Sequence, residues 1–172
     1  YHYGYMSTFT VDADGDPITE VASIQFTDNS TMQWPSLVQL NESTYALAYY
    51  GYDSGTDYNG NTITNQWGQW IATFKVPPDG SSITKLEAFR HDYYNMDSPY
   101  TSLVKVDENT VALAYRTYNY GPSGGNGAGG WIKTFTINGG TITQAAHLRH
   151  FTSWSYYHSM VQADANTYVL AW

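Results

Sequence analysis

The chain contains no cysteine, which excludes disulfides, thiolate metal sites and cysteine nucleophiles. Charge is also scarce. Charged residues make up 13% of the 172, with 7 Lys and Arg against 15 Asp and Glu, for a formal net charge of −8. Phosphate recognition needs clustered Lys and Arg, so nucleic acid is excluded as a partner. The same deficit argues against an anionic membrane surface. No apolar run approaches the roughly 20 residues of a membrane span, so no insertion is expected. No stretch of ten residues carries a 3.6-residue apolar period, and almost no helix is expected. The chain does not open on Met and shows no signal peptide, as expected of a mature form, a fragment or part of a longer protein.

Aromatic side chains are abundant instead, with 17 Tyr and 6 Trp. A Tyr-rich, Lys-poor composition with many Gly and Asn is that of a binding surface, because Tyr supplies contact area at low entropic cost. With 42% hydrophobic residues the chain has enough apolar material for a globular core.

Four phrases recur three times in fixed order. The first is Tyr5–Val11, returning as Trp70–Val76 and Trp131–Ile137. The second is Ile18-Thr19, Ile83-Thr84 and Ile142-Thr143. The third is Ser36-Leu37-Val38, Ser102-Leu103-Val104 and Ser159-Met160-Val161. The fourth is Tyr45-Ala46-Leu47-Ala48-Tyr49, Val111-Ala112-Leu113-Ala114-Tyr115 and Tyr168-Val169-Leu170-Ala171-Trp172. Such recurrence marks a repeat architecture. The phrases are short, aromatic or β-branched, and bounded by turn residues such as Asp14-Gly15 and Asn41-Glu42-Ser43, so each is predicted to be a strand.

The fourth phrase sets the fold expectation. One face of Tyr45–Tyr49 is bulky (Tyr, Leu, Tyr) and the other small (Ala, Ala). A strand apolar on both faces belongs to a sheet covered on both sides, as propeller blades are. The expectation is an all-β β-propeller segment of three four-stranded blades, ordered third, fourth, first, second phrase from the inner strand outward. Residues 1–172 form one repeat domain, with repeats over approximately 34–89, 100–148, and 157–172 completed by 1–26. The closing blade is then split, and Tyr5–Val11 is expected to pair with the strand ending at Trp172, within a chain or between chains. Propellers typically have 4–8 blades, so a homo-oligomer or a longer repeat chain is expected. A β-trefoil, with three four-stranded repeats in one closed unit, is the alternative. Leu47, Leu113 and Leu170 are expected to be core.

The consensus Gly-aromatic-Ile-x-Thr-Phe-x-Ile, Ile-Thr, Ser-Leu-Val and Tyr-Ala-Leu-Ala-Tyr resembles tandem repeats of large, mostly uncharacterised secreted or surface proteins of marine bacteria and archaea. More distantly, Pro35-Ser36-Leu37-Val38 followed by Tyr45–Tyr49 resembles blades of sialidase-like glycosidase propellers. The resemblance implies an extracellular or cell-surface location, and neither pattern delivers a catalytic motif.

Glycoside hydrolysis needs two carboxylates facing each other across a sugar. Glu42 and Glu108 recur at one hairpin turn, and Asp79, Asp107 and Asp164 are also turn residues, where solvated carboxylates are ordinary. Arg90 and Arg149 share one repeat position, each preceding a histidine (His91, His150). Equivalent positions on successive blades diverge, so these pairs are expected to be repeated structural contacts. Two segments have calcium-loop character, Asp12-x-Asp14-Gly15-Asp16 and Asp57-x-Asn59-Gly60-Asn61, with alternating oxygen ligands around a glycine turn. Both place the glycine fourth rather than sixth. No other cofactor is expected.

The stronger lead is aromatic. Trp34, Tyr100 and Tyr157 share one position before the inner strand. Tyr52, Tyr58, Trp67, Tyr118 and Tyr120 lie in or beside the long segments between fourth and first phrases, of which Gly51–Gly68 reads as a loop. Trp70 and Trp131 are expected to pack within blades. Sugar C–H faces stack on exposed rings. The expected function is a non-catalytic, lectin-like or adhesive module whose partner is a glycan or surface protein. The alternatives are a structural subunit of a surface appendage, filament or virion, and a glycosidase fragment.

Overall fold

The computed structural model describes residues 3–27, 32–93, 100–117, 129–153 and 155–172. Among them there is no helix. Strands β1 (Tyr5–Val11) and β2 (Ile18–Gln25) form a first sheet. A second holds β3 (Gln33–Gln39), β4 (Thr44–Asp57), β5 (Thr62–Lys75) and β6 (Thr84–Asp92). A third holds β7 (Ser102–Lys105), β8 (Thr110–Thr117), β9 (Gly129–Asn138) and β10 (Thr141–Phe151). A fourth holds β11 (Ser159–Asp164) and β12 (Thr167–Ala171). Neighbours in sequence pair antiparallel in every sheet, and no sheet closes into a barrel.

The repeated phrases become the repeated strands. The turns between third and fourth phrase are built alike: Asn41, Asp107 and Asp164 each accept, at Oδ1, the backbone N–H of the residue two positions on, at 3.2, 2.8 and 3.0 Å. Short side chains of this type hold a turn by mimicking the backbone acceptor.

The sheets stack in a row in chain order. Leu47, Tyr49, Trp70 and Phe74 on the bulky face of the second sheet pack against Met6, Ala22, Ile24 and Phe26 of the first. Its small face, Ala46, Ala48 and Ile71, receives Leu113, Tyr115 and Phe135 of the third. The third sheet's Ala112, Ala114 and Ile132 in turn receive Met160, Tyr168 and Leu170 of the fourth. Large side chains enter spaces left by alanines, which lets consecutive sheets approach without voids. Two hydrogen bonds repeat along the row. Thr8 Oγ1 donates to the Gly80 carbonyl and Thr73 Oγ1 to that of Gly140, at 2.8 and 2.7 Å. Ser36 Oγ accepts from Leu103 N–H and Ser102 Oγ from Met160 N–H, both at 2.9 Å.

Two expectations need correction. Within one chain β1 does not pair with β12, since they lie in separate sheets at the two ends of the row. Accordingly Leu47 and Leu113 are buried but Leu170 is only partly so. The segment 51–68 is not a loop either. Pairs Gly51↔Gly68, Tyr52↔Trp67 and Asp53↔Gln66 extend β4 and β5 into one long hairpin. Past a bulge between Asp53 and Gly55 it folds back onto its own sheet, with Thr56 and Asp57 pairing parallel to Phe89 and Arg90 of β6. A Cβ on Gly55 would lie 1.9 Å from the Ala88 carbonyl oxygen. Only glycine permits that approach, and its presence made a strand read as a loop.

Candidate functional site

Trp34, Tyr100 and Tyr157 occupy one position in three successive sheets. All three sit in the left-handed backbone region, with φ of 51°, 29° and 56°. That conformation is uncommon for a residue with a bulky side chain and costs on the order of 1–3 kcal/mol each. The surroundings impose it: a register shift between Gln33 and Ser36 kinks β3 at Trp34, Thr101 Oγ1 donates to the Trp34 carbonyl at 2.7 Å, and His158 Nδ1 lies 3.3 Å from the Tyr100 carbonyl. The kink turns each ring toward its counterpart on the next sheet. Ring centroids are 5.6 Å apart for Trp34–Tyr100 and 4.2 Å for Tyr100–Tyr157.

The file of rings continues at both ends. Tyr50 lies 6.1 Å from Trp34 and stacks on Trp67 at 5.4 Å and 25°, and Tyr52 meets Trp67 edge-on at 5.8 Å. Tyr156 follows Tyr157 at 6.3 Å. Seven aromatic side chains therefore form one belt across three sheets. Tyr157 is 70% exposed, and Trp67 and Tyr156 are also exposed. A shallow groove of about 300 Å³ lies over Trp34, Pro35, Tyr100, Thr101, Tyr157 and His158.

The belt is electrically quiet. His158, in its floor, is held down to about 4 by burial and, secondarily, by His150 and Arg116, against the opposing Tyr100 carbonyl, so its imidazole is neutral at physiological pH. The Tyr157 phenol is pushed up by hydrogen bonding to Tyr100. The Arg116 guanidinium sits 4.4 Å from the Tyr156 ring, a cation–π contact.

Of the aromatics expected from sequence, Trp34, Tyr52, Trp67, Tyr100 and Tyr157 are brought together. Tyr58 is not: it meets Tyr93 at 5.2 Å and packs on the core between the second and third sheets. Tyr118 and Tyr120 lie outside the described residues. Trp70 and Trp131 are buried as packing residues. Tyr50 and Tyr156 are additions; strand alternation places Tyr50 on the face opposite Tyr49, a signal present in the sequence.

The calcium-like segments are turns. Asp57 Oδ1 accepts the N–H groups of Asn59 and Asn61, both at 2.9 Å, while Oδ2 accepts Asn61 Nδ2 at 3.2 Å and the Tyr93 hydroxyl at 3.3 Å. Burial, the largest single influence, pushes the Asp57 carboxyl up, but those bonds together hold it below its ordinary value. The Asn61 amide presents a donor, not a ligand oxygen, to Asp57. Asp14 accepts from Asp16 N–H at 3.3 Å across the β1–β2 turn, whose Asp12 carbonyl is taken by Gly15 N–H. Among the described residues no three His, Asp or Glu side chains gather as a metal site.

Of the two arginine–histidine pairs, Arg90-His91 is buried and Arg149-His150 is half-buried. Arg90 is buried, donates to Gln66 Oε1 at 2.6 Å and lies 4.5 Å from the Tyr93 ring. Its stem fills the space a Cβ on Gly68 would need. Arg149 lies 5.9 Å from the Trp131 ring. Next to Arg90 a buried polar cluster joins the second and third sheets. Tyr115 donates to Asp92 at 3.1 Å and Lys133 Nζ to the His91 carbonyl at 2.8 Å. Burial pushes Asp92 up, lowers Lys133 to about 8 and drives His91 well below its usual range. A parallel cluster lies toward the first sheet, where Tyr49 donates to Asp53 and Lys85 bonds both Asp53 oxygens at 2.8 and 2.6 Å. Both clusters use a Tyr, an Asp and a Lys, but only the tyrosines are repeat-equivalent; Tyr49, Asp53 and Lys85 all lie in the second sheet, and Lys85 Nζ reaches over to the Phe26 carbonyl at 3.0 Å. The deep burial of Asp92 and Lys133 fits joining sheets rather than meeting a substrate. No protein-family model, curated protein or solved structure matches the chain.

Proposed function

We infer that the chain is a non-catalytic, lectin-like or adhesive binding module of an extracellular or cell-surface protein, and that the aromatic belt is where a glycan binds. The single observation that carries this reading is the placing of Trp34, Tyr100 and Tyr157 in left-handed backbone at one end of three consecutive sheets. Strain of this kind concentrates at functional positions, and here it lines up rings that a purely structural role would bury. Flat, partly exposed, uncharged rings stack on sugar C–H faces. The acidic net charge disfavours polyanions that would otherwise compete. The stacking of open meanders, bulky face into small face, supports the propeller form of the fold over the single closed unit of a trefoil.

The test is a glycan array on the 172-residue chain, followed by titration of retained sugars. Trp67→Ala and Tyr157→Ala are each expected to weaken binding by about thirtyfold, the consequence of losing about 2 kcal/mol at a hot spot. Retention of no glycan, or undiminished binding by both variants, would remove the reading.

A further inference from the structure

We propose that Tyr100 and Tyr157 are an oxidative cross-linking site, where a peroxidase-type one-electron oxidant joins the two rings by a carbon–carbon bond and ties the third sheet to the fourth. The site stands on the geometry of these two residues and is independent of what the belt binds.

Their contact is the tightest between tyrosine rings among the described residues. The centroids lie 4.2 Å apart with the ring planes inclined by 36°, close to an offset stack. The other tyrosine contacts are wider. Tyr156 and Tyr157 are 6.3 Å apart, and Tyr58 meets Tyr93 at 5.2 Å and 79°. The repeat-equivalent contact one sheet earlier joins Trp34 to Tyr100 at 5.6 Å and so carries only one phenol.

The backbone fixes the pair from both sides. Left-handed φ values of 29° at Tyr100 and 56° at Tyr157 turn both rings into the contact. Two polar contacts bridge the sheets immediately beyond the tyrosines. His158 Nδ1 lies 3.3 Å from the Tyr100 carbonyl, and Ser102 Oγ accepts from Met160 N–H at 2.9 Å. Rings held in this way need not find each other by diffusion, so coupling becomes a local step.

Tyrosyl radicals couple through the carbons ortho to the hydroxyl, and their π orbitals must overlap face to face. The Tyr157 and Tyr100 hydroxyls are hydrogen-bonded to each other. That bond gathers the hydroxyl ends of two near-parallel rings, and the ortho carbons lie beside them. The Tyr58 and Tyr93 hydroxyls also meet, but those rings are near perpendicular, and the Tyr93 hydroxyl donates to Asp57 Oδ2 at 3.3 Å. A groove of about 300 Å³ lies over Tyr100 and Tyr157, through which peroxide and water reach the phenols.

Each phenol gives one electron and its hydroxyl proton to the oxidant. The two radicals form one carbon–carbon bond between ortho carbons. Each of those carbons then loses its hydrogen as a proton, which returns to the ring oxygen and restores the aromatic ring. Two hydrogens leave in all, and one hydrogen peroxide is reduced to two waters. The product closes the chain between Tyr100 and Tyr157 into a loop, and a cross-link of this kind stabilises the fold by restraining the unfolded chain.

The test is treatment of the 172-residue chain in dilute solution with a haem peroxidase and hydrogen peroxide. The expected product is a single chain lighter by two hydrogens, with the blue fluorescence of a coupled biphenol and a raised urea midpoint. Peptide mapping is expected to join the peptide holding Tyr100 to the one holding Tyr157. Tyr157→Phe keeps a ring at the contact but removes one phenol, and is expected to lose the product. Tyr58→Phe is expected to keep it. No coupled product, a product mapped to other tyrosines, coupling only between separate chains, or a yield undiminished by Tyr157→Phe would each overturn the site.

Discussion

The same phrase has opposite fates in the middle and at the ends of the row. Phe74 and Phe135, in the interior sheets, are fully buried, while the equivalent Phe9 is exposed; Trp70 and Trp131 are buried, while the equivalent Tyr5 is exposed. Nothing local separates these residues, which occupy the same strand positions in near-identical phrases. What differs is whether the sheet is complete and covered on both sides. Repeat units bury a face only against a neighbour, so an incomplete unit displays the core it would otherwise hide.

The largest effect should separate the two regions most sharply. Phe135→Ala should cost about 3–5 kcal/mol in urea unfolding, the range for emptying a core aromatic site. Phe9→Ala, at an exposed position, should cost about 0.5 kcal/mol or less, as surface changes do. Equal losses would end the comparison.

The polar clusters between sheets give a second contrast. Lys133→Met strands the buried Asp92 and should cost about 3 kcal/mol at pH 7. Lys85→Met breaks a direct ion pair at 2.6 Å to Asp53, itself buried, and should cost at least as much, about 3 kcal/mol or more. Unfolding midpoints of the two variants test the ranking.

A third difference is in pH response. His158, held near 4 when folded against an ordinary value of 6.5, takes up a proton more readily when unfolded. Its contribution to stability is therefore full above about 6.5 and is lost as pH falls toward 4. His91 acts in the same direction and Asp92, raised by burial, in the opposite one. His158→Asn should thus reduce, without abolishing, the fall in urea midpoint from pH 7.5 to pH 4.5, since His91 still contributes in the same direction. An unchanged slope would mean that His158 does not titrate as its surroundings require.

The smallest effect runs against the usual sign. Tyr157→Gly removes a mostly exposed ring and relieves a left-handed backbone, so it should stabilise the fold by up to about 1 kcal/mol while weakening sugar binding by about thirtyfold. A destabilised Tyr157→Gly would show that the ring is there for packing.

Much of this arrangement is legible in the residues. Alternation of period two and the fourfold phrase order give the strands and their pairing sequence, and the bulky–small faces of Tyr45–Tyr49 show that the sheets must be stacked. The aligned aromatics are visible as a repeat position. Three things are not. The glycines of 51–68 signal a loop, yet Gly55 serves to let a strand fold back on its sheet. The left-handed backbone at Trp34, Tyr100 and Tyr157 has no local marker, because no glycine or asparagine stands there and tertiary contacts impose it. The Asp92–Lys133 cluster joins side chains from different sheets, and the spacing of two such residues along the chain says nothing of which faces meet.

The most direct measurement is the affinity of a glycan retained on the array for the native chain, for Tyr157→Ala in the belt and for Leu148→Ala, an exposed apolar side chain outside it. The expected result is a loss of about thirtyfold for Tyr157→Ala and no loss for Leu148→Ala. Equal affinities in all three chains would contradict the claim that the belt is the binding site.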